Sequence, residues 1–353
     1  MPGTLHVGTC SWTDPTMVRA WYPPAVRTAA DRLRYYASHF DTVEIDSSFY
    51  GLPTPSTARL WAERTPPGFI FHIKAFGMMT RHGVPAERLP GSLRAAHKLQ
   101  LDSRGRVTHP SEAMREEVFA LFSEALEPLR AAEKLGVVLL QFPPYFVANR
   151  ANRDYVSYSV GLLAPDRVAV EFRHASWVEP GVVKTTLDLL RSLNATYVCV
   201  DEPKMAGLTV LPPIVAVTSD IGYVRFHGRN AATWNTRTGS AAERFKYLYS
   251  IDELSEWVAP VRQIRAETAG AYLMFNNCFA DYAPRNAQQM LSLLDFSPGS
   301  EQGPARPADT DDRVGAGLTP APPTPPDMRA RIRRFAEHPE ADGRDRGIQP
   351  DPS

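Results

Sequence analysis

Eight short apolar runs alternate with helical patterns between residues 5 and 296, and this alternation restricts the fold more than any other feature of the sequence. Each run is rich in β-branched and aromatic residues and is bounded by turn-forming residues, as β-strands are. The predicted strands cover residues 6–10, 42–46, 69–74, 136–142, 167–172, 196–201, 223–228 and 271–276. The clearest helical patterns cover residues 27–39, 56–64, 113–134, 181–193, 243–266 and 284–294. Strands that alternate with helices indicate βαβ units and a parallel sheet.

Eight such units in roughly 290 residues favour a closed (β/α)8 barrel, the TIM barrel. A doubly wound open sheet is the main alternative, but no glycine-rich dinucleotide fingerprint follows the first strand. We therefore predict an α/β protein with a single (β/α)8 TIM barrel over residues 1–296. A long insertion, at about residues 75–112, follows the third strand, and insertions of this kind usually act as lids or binding loops. The link over residues 202–222 contains two prolines and no convincing helix.

Composition and charge exclude several classes of protein. Lys plus Arg and Asp plus Glu both number 39, so no overall field attracts nucleic acid or an anionic membrane, although a local basic patch is compatible with this balance. The three cysteines match neither a disulfide framework nor a structural zinc site. No signal peptide and no transmembrane run is found, so we expect a cytoplasmic protein without a membrane partner. Residues 297–353 are rich in proline and poor in large apolar side chains, which predicts a disordered C-terminal tail.

Charged and polar residues collect at the carboxyl ends of nearly all the predicted strands. In (β/α)8 barrels these ends, and the loops that follow them, carry the catalytic groups. Residues two apart on a strand share a face, so Glu171 and Arg173 project together, as do Arg225 and His227. The candidate residues for a site at this end of the barrel are Glu44, Asp46, Tyr50, Lys74, His82, Gln141, Glu171, Arg173, His174, Trp177, Asp201, Arg225, His227, Arg229, Asn276 and Asn277.

Several of these segments resemble the DUF72 (YecE-like) family, whose members are described as TIM barrels of unassigned function. The matching motifs are GTCSW (8–12), VEIDSSFYGLP (43–53), FHIKAFGMMTRH (71–82), LLQFPP (139–144), VEFRHASW (170–177), RFHGR (225–229) and FNNCFADYAPRNA (275–287). The chain departs from the family pattern at Cys10-Ser11, at Asp46 and at Cys278, where Ser-Gly, Asn and His are more usual. The resemblance runs from about Val7 to Leu294. It implies the barrel but no particular reaction.

The positive residues near the barrel mouth favour a ligand with an anionic group. Arg225 lies near the end of the seventh strand and Arg229 follows it, and the loops after strands seven and eight form the usual phosphate-binding region of barrels. Arginine makes bidentate contacts with phosphate and carboxylate groups, and Lys74 adds a third cation. The alternative is structural, with Arg225 paired to Asp201 or Glu171 on a neighbouring strand. We expect a small anionic or phosphorylated ligand.

The acidic residues provide candidate acid/base groups. Glu44 or Glu171 would act as general acid or base with His227 as the proton partner, and Arg173 would hold Glu171 ionised or contact the substrate. The leading hypothesis is an enzyme that acts on an anionic or phosphorylated small molecule or nucleotide by hydrolysis, isomerisation or lyase chemistry. A glycosidase-type pair of Glu44 and Glu171 is an alternative, which the separation of the two carboxylates would decide.

Other kinds of site have weaker support. No metal-binding spacing such as HxH or HExxH is present, so we predict no cofactor; a divalent metal would require Glu44, His174 and His227 to converge. A nucleophile at Cys10 or Cys278 is weaker still, because isolated cysteines are more often small buried hydrophobic residues.

Aromatic residues at the strand ends would stack on a sugar or a base, or would simply cover the barrel; they are Trp12, Tyr22, Phe49, Tyr50 and Trp177.

A second class of function is nucleic-acid binding or endonuclease-like processing. It rests on a locally basic stretch that includes Lys74, Arg81, His82, Arg88, Arg94, His97, Lys98, Arg104, Arg106 and His109. Binding to the phosphate backbone requires such a patch and weakens steeply with salt. A solvated loop explains the same residues without a partner. A third hypothesis is a scaffold barrel without chemistry, in which the charged residues only support the fold.

Overall fold

Eight parallel strands form a closed barrel in the computed structural model, which describes residues 2–203, 207, 209–234 and 245–295. The predicted α/β fold, a (β/α)8 TIM barrel, is confirmed. The predicted tail, residues 297–353, lies outside the described residues. The barrel strands are Thr4–Thr9 (β1), Thr42–Ile45 (β2), Ile70–Lys74 (β3), Leu135–Gln141 (β6), Arg167–Glu171 (β7), Thr196–Asp201 (β8), Ile221–Phe226 (β9) and Gly270–Phe275 (β10).

The barrel strands follow one another in chain order around the barrel, and β1 closes it by pairing with β10. Every residue of β8 and β9 is buried, as expected for a parallel sheet that is covered by helices on its outer face. Two further strands, Val84–Pro85 (β4) and Arg106–Val107 (β5), form a separate antiparallel pair within the insertion.

Helices surround the barrel and supply most of its connections. They are Pro15–Ala20 (α1), Ala29–Ala37 (α2), Pro55–Glu63 (α3), Gly91–Ala96 (α4), Glu112–Ala125 (α5), Glu127–Ala131 (α6), Arg150–Leu163 (α7), Val183–Ser192 (α8), Ala231–Trp234 (α9), Ile251–Ser255 (α10), Val258–Glu267 (α11) and Tyr282–Asp295 (α12). None of the helices in these described ranges combines the length and apolar character needed to cross a bilayer.

Two predicted helices are each divided in the structure. The pattern over residues 113–134 becomes α5 and α6, because Pro128 lies in the first turn of α6, where its missing N–H is tolerated. The pattern over residues 243–266 begins outside the described residues, and its described part contains α10 and α11. Helix α10 begins at a capping box between Ser250 and Glu253, which satisfies two backbone N–H groups.

The insertion after β3 packs against the barrel and does not form an open loop throughout. Residues 75–80 are all buried, and the carbonyl of Met79 accepts a 2.9 Å hydrogen bond from the hydroxyl of Tyr155 on α7. Val107 of β5 and Leu93 of α4 are also buried in the core. The role of the insertion as a lid or binding loop stays a prediction. In the link from β8 to β9, the described residues form no helix, as the sequence predicts.

Candidate functional site

An arginine that bridges two carboxylates lies inside the barrel. Arg225 of β9 donates from Nη2 and Nε to the two carboxylate oxygens of Glu44 on β2, at 2.7 and 3.0 Å. Its Nη1 donates to Oε2 of Glu171 on β7 at 2.5 Å. Neither β2 nor β7 neighbours β9 in the sheet, so these contacts cross the barrel interior. All three side chains are fully buried, and buried charges of this kind are tolerated because they are paired.

The pairing of Arg225 agrees in part with the structural alternative, because Glu171 is one of the two partners that the sequence suggests. The sequence predicts an anion ligand at Arg225 or a structural pair with Asp201 or Glu171; the structure pairs it with Glu44 and Glu171. Burial would raise the pKa of Glu171, but Arg225 and His227 outweigh burial and hold this pKa well below its ordinary value. Glu44 also accepts a 2.9 Å hydrogen bond from the hydroxyl of Tyr223. Glu44 and Arg225 therefore lie at the bottom of the site, away from its entrance.

A shell of polar side chains surrounds the second oxygen of Glu171. Its Oε1 accepts hydrogen bonds from Nε2 of Gln141 at 2.8 Å and from Nη1 of Arg173 at 3.2 Å. Nε2 of His227 lies 3.0 Å from the same oxygen, and Nδ2 of Asn276 lies 3.0 Å from Nδ1 of His227. Burial lowers the pKa of His227 to about 4, against the opposing effect of Glu171. A neutral His227 that donates through Nε2 and accepts from Asn276 orients Glu171, and it does not fit the predicted role of proton partner.

Glu202, which the sequence analysis does not single out, completes this cluster. Nη1 of Arg173 donates to Oε1 of Glu202 at 2.5 Å, and the backbone N–H of Leu211 donates to its Oε2 at 3.1 Å. Burial raises the pKa of Glu202 to about 7, and the nearby carboxylate of Glu171 adds to this rise while Arg173 opposes it. Nη1 of Arg173 therefore contacts two carboxyl groups with different pKa values. The pKa of Glu171 is lowered, and the pKa of Glu202 is raised to about 7.

Asp201 and Arg229 form a separate cluster, contrary to their predicted place with the other site residues. Asp201 accepts hydrogen bonds from Nη2 of Arg229 at 2.6 Å, from the hydroxyl of Tyr249 at 2.7 Å and from Nε1 of Trp257 at 2.7 Å. Arg229 also contacts Glu256 at 3.0 Å. The reason is that side chains alternate between the two faces along a strand. Asp201 points to the outer face of β8, where it meets Trp257 just before α11. Glu202, the next residue, points inward.

The rim of the mouth carries a second pair of opposite charges. Nζ of Lys74 lies 2.6 Å from Oδ1 of Asp46 and 4.8 Å from the centre of the Phe49 ring. His82 lies nearby, with its Nδ1 2.9 Å from the hydroxyl oxygen of Thr80. Burial, together with Lys74, lowers the pKa of His82 to about 3. Lys74 is thus the rim cation, and His82 is a neutral ring.

Three of the predicted site residues support the fold around the mouth. Trp177 is fully buried and donates from Nε1 to the carbonyl of Phe146 at 2.6 Å. Nδ1 of His174 lies 2.8 Å from the hydroxyl oxygen of Ser176. Nδ2 of Asn277 donates to the carbonyl of Tyr247 and to Oδ1 of Asn286, both at 2.9 Å. Trp12 and Tyr22 are buried as well, whereas Tyr50 is 54% exposed.

Both cysteines at the mouth are poor candidates for a nucleophile. Sγ of Cys10 lies 3.7 Å from Nη2 of Arg225. Burial and the carboxylate of Glu44 raise the pKa of Cys10 well above its ordinary value. Burial and Asp14 also raise the pKa of Cys278. Because the thiolate is the reactive form of cysteine, raised pKa values disfavour nucleophilic chemistry at either residue.

One group of side chains in the described residues has the composition of a metal site. A carboxylate oxygen from each of Glu171 and Glu202 and a ring nitrogen of His227 lie within 4.8 Å of one another. Nη1 of Arg173 already contacts both carboxylates, so a divalent ion could bind there only after Arg173 moved away. The metal ligands considered from sequence differ, since Glu44 is held by Arg225 and does not join His227.

Comparisons with known proteins agree with the resemblance noted in the sequence. The curated protein "UPF0759 protein YunF" of Bacillus subtilis is 30% identical over 296 residues, which are 83% of this chain and 95% of that protein. A crystal structure of a DUF72 family protein from Enterococcus faecalis is 26% identical, with a TM-score of 0.68, and covers 87% of this chain and 100% of that one. A DUF72 family protein from Thermotoga maritima is 29% identical, with a TM-score of 0.66, and covers 83% of this chain and 100% of that one.

The match to the family extends over nearly the whole barrel. The family model described as "Protein of unknown function DUF72" matches residues 6–309, a range that passes the predicted domain boundary at residue 296. This range contains every residue of the cluster around Glu171 and of the rim around Lys74. The chain therefore belongs to the DUF72 family, whose description names no function.

Proposed function

We propose that this protein is an enzyme that transfers a proton to or from an anionic small molecule at the C-terminal end of the barrel. The observation that supports this most is the pair of carboxyl groups on Nη1 of Arg173. The pKa of Glu171 is held well below its ordinary value, whereas the pKa of Glu202 is raised to about 7. Two titratable groups whose environments push their pKa values apart are typical of acid/base catalysis.

Glu202 is the proton-transfer residue of this proposal. A group with a pKa near the working pH is present in both protonation states and can exchange protons efficiently. An anionic substrate beside Glu202 would disfavour its ionised form. Glu202 would then hold its proton when the substrate is bound, and it would act as the general acid. This role replaces the one that the sequence suggests for Glu44 and His227, which are both held in buried contacts.

Arg173 is the anion-binding residue of this proposal. Its side chain is partly exposed, with a relative exposure of 16%, and its guanidinium carbon lies 5.0 Å from the centre of the Trp234 ring. Among the described residues, its bonds to Glu171 and Glu202 both use Nη1, which leaves Nε and Nη2 for a ligand. Arginine donors in this arrangement match a phosphate or carboxylate group. Lys74 at the rim provides a second cation.

The test is a comparison of turnover by matched variants. Purified protein is incubated with a panel of phosphate esters and carboxylic acids, and the products are followed by mass spectrometry. We expect turnover of at least one compound, loss of that turnover in Glu202→Gln, and normal turnover in Glu124→Gln, since Glu124 is exposed on α5. Turnover that survives in Glu202→Gln would contradict the role of Glu202. A lack of turnover across the panel, with no binding of phosphate or acetate that depends on Arg173, would contradict the proposal as a whole.

Nucleic-acid binding is a second candidate, because part of the basic insertion faces solvent. Arg88, Arg94, Lys98, Arg104 and His109 are exposed. Other basic residues of the insertion are paired with acids, as in the 2.7 Å contacts of His97 with Glu117 and of Arg106 with Asp102. Binding of DNA or RNA by this surface would weaken steeply between 50 and 200 mM salt. A gel-shift titration that finds binding with this salt dependence would favour the second candidate.

A further inference from the structure

Four rings contact one another in a row along the rim of the barrel mouth, and we call this row the aromatic arc. It consists of Tyr50, Phe49, His82 and Tyr145. The ring centres of Phe49 lie 5.2 Å from Tyr50 and 4.8 Å from His82, and His82 lies 6.5 Å from Tyr145, with each pair edge to face. These residues follow β2, β3 and β6, which are neighbours in the barrel. The arc is therefore continuous over three strand ends.

The two ends of the aromatic arc are exposed, although they are held in place. Tyr50 is 54% exposed and Tyr145 is 64% exposed. The hydroxyl of Tyr145 donates a 2.9 Å hydrogen bond to the carbonyl of Arg81. Beneath Phe49 and Tyr50, the hydroxyl of Ser48 donates to the carbonyls of Ile45 and Lys74 at 2.8 and 2.6 Å. Exposed rings that are fixed in this way present a large contact surface that loses little conformational entropy when a ligand binds.

The loop that carries Tyr145 is joined to the loop that carries Arg173. Nε1 of Trp177 donates to the carbonyl of Phe146, and the hydroxyl of Ser176 accepts a 2.9 Å hydrogen bond from the backbone N–H of Ala148. The rings of Phe146 and Trp177 also stack at 5.6 Å. Tyr145 and Arg173 thus lie in neighbouring loops that are fixed to each other, and Arg173 in turn contacts Glu202, which follows β8.

We propose that the aromatic arc binds the ring of the substrate. The ligand class is a small molecule with a flat or apolar-faced ring next to a phosphate or carboxylate, as in a nucleoside monophosphate, a sugar phosphate or an aryl phosphate. The ring stacks on Tyr145, with Tyr50 at the other end of the arc, and the anionic group meets Arg173. The anionic half of this inference rests on the proposed function, whereas the ring half does not require catalysis.

The test compares the affinities of ligands that share a phosphate and differ in the ring. The probes are inorganic phosphate, phenyl phosphate, adenosine monophosphate and glucose 6-phosphate, measured by isothermal titration calorimetry. We expect at least one ring-bearing probe to bind more tightly than phosphate. Tyr145→Ala should reduce this advantage by about 5- to 150-fold, as stacking on a single aromatic residue contributes roughly 1–3 kcal/mol. Tyr145→Phe keeps the ring and should keep most of the advantage.

Control variants separate this inference from the proposed function. Leu101→Ala removes another exposed apolar side chain, 53% exposed within the insertion, and should leave all affinities unchanged. Arg173→Met should weaken phosphate and the ring-bearing probes alike. Equal affinities of all probes for the wild-type protein, or an unchanged ring advantage in Tyr145→Ala, would overturn the inference. A ring advantage that depends on Tyr145, in a protein without any turnover, would support the aromatic arc and count against the proposed enzyme.

Discussion

Replacement of Glu202 by glutamine is expected to change how stability depends on pH. The pKa of Glu202 is raised from 4.5 to about 7 in the folded protein, so the folded state binds this proton more tightly than the unfolded state. The stabilising effect of the proton is therefore complete below pH 4.5 and is lost as the pH rises through 7. Each pKa unit corresponds to about 1.4 kcal/mol, so ionisation of Glu202 costs the folded state roughly 3 kcal/mol.

Glu202→Gln removes this cost because glutamine has a similar shape and carries no charge. We expect the variant and the wild type to have similar free energies of unfolding near pH 4.5. The variant should become more stable than the wild type by roughly 3 kcal/mol at pH 8. Other titrating groups, such as His227 with its pKa lowered to about 4, are common to both proteins and cancel in the difference.

The assay is urea unfolding, followed by circular dichroism, at half-unit steps between pH 4.5 and pH 8. The quantity of interest is the difference in free energy of unfolding between Glu202→Gln and the wild type at each pH. Glu124→Gln is the control, because Glu124 is exposed on α5; its difference should stay within about 0.5 kcal/mol at every pH. A difference for Glu202→Gln that does not change over this range would refute the assignment of a raised pKa to Glu202.

Three more predictions follow from the contacts around Arg225 and Arg173. Glu44→Gln leaves the guanidinium of Arg225 with one buried charge partner fewer and should cost about 3–5 kcal/mol in urea unfolding; an unchanged midpoint would contradict this. Arg173→Met leaves two carboxyl groups and a histidine without their arginine, so the variant should bind Co²⁺ and show visible absorption that the wild type lacks; equal spectra would contradict this. Cys10, with its raised pKa and 1% exposure, should react with Ellman's reagent at pH 7.5 only after unfolding, and rapid reaction in the native protein would contradict this.

Much of the fold could be predicted from the sequence because each barrel strand is a short apolar run between turn residues. In a parallel sheet, both faces of a strand are buried, so these runs stand out from the amphipathic helices between them. Helix α7 has no clear helical pattern in the sequence: RANRDYVSYSVGLL contains valine, serine and glycine, which are weak helix formers. Packing against the rest of the protein stabilises this helix, since Tyr155, Val156 and Leu163 are buried.

The site is harder to predict than the fold, because the exact position of each residue at a strand end determines whether its side chain faces into or out of the barrel. Asp201 and Glu202 are adjacent, and a shift of one residue exchanges the inner and outer faces. The sequence favours Asp201, because it is the last residue of an apolar run, yet Glu202 is the residue that enters the barrel mouth. The signal that could have identified it is the alternation of Val198, Val200 and Glu202 on one face of β8 and the segment that follows.

Contacts across the barrel join residues that are far apart in the sequence, and no local pattern predicts them. Arg225 lies 181 positions from Glu44 and 54 from Glu171, and no local pattern shows that all three meet. The sequence does not indicate that Tyr145 is exposed either, because the exposure of a loop residue depends on how neighbouring loops pack. The sequence could therefore indicate the end of the barrel that carries charge, but it could not assign partners to individual charges.

The most direct test of the central claim is a titration of Glu202 by carbon-13 NMR, in protein labelled at the glutamate carboxyl carbons. We expect one buried carboxyl resonance that titrates near pH 7 and is missing from Glu202→Gln. Saturating phosphate should raise this pKa further, and Arg173→Met should abolish the response to phosphate. A Glu202 resonance that titrates near 4.5, or one that does not respond to phosphate, would contradict the claim that this residue is the proton-transfer group beside an anion site.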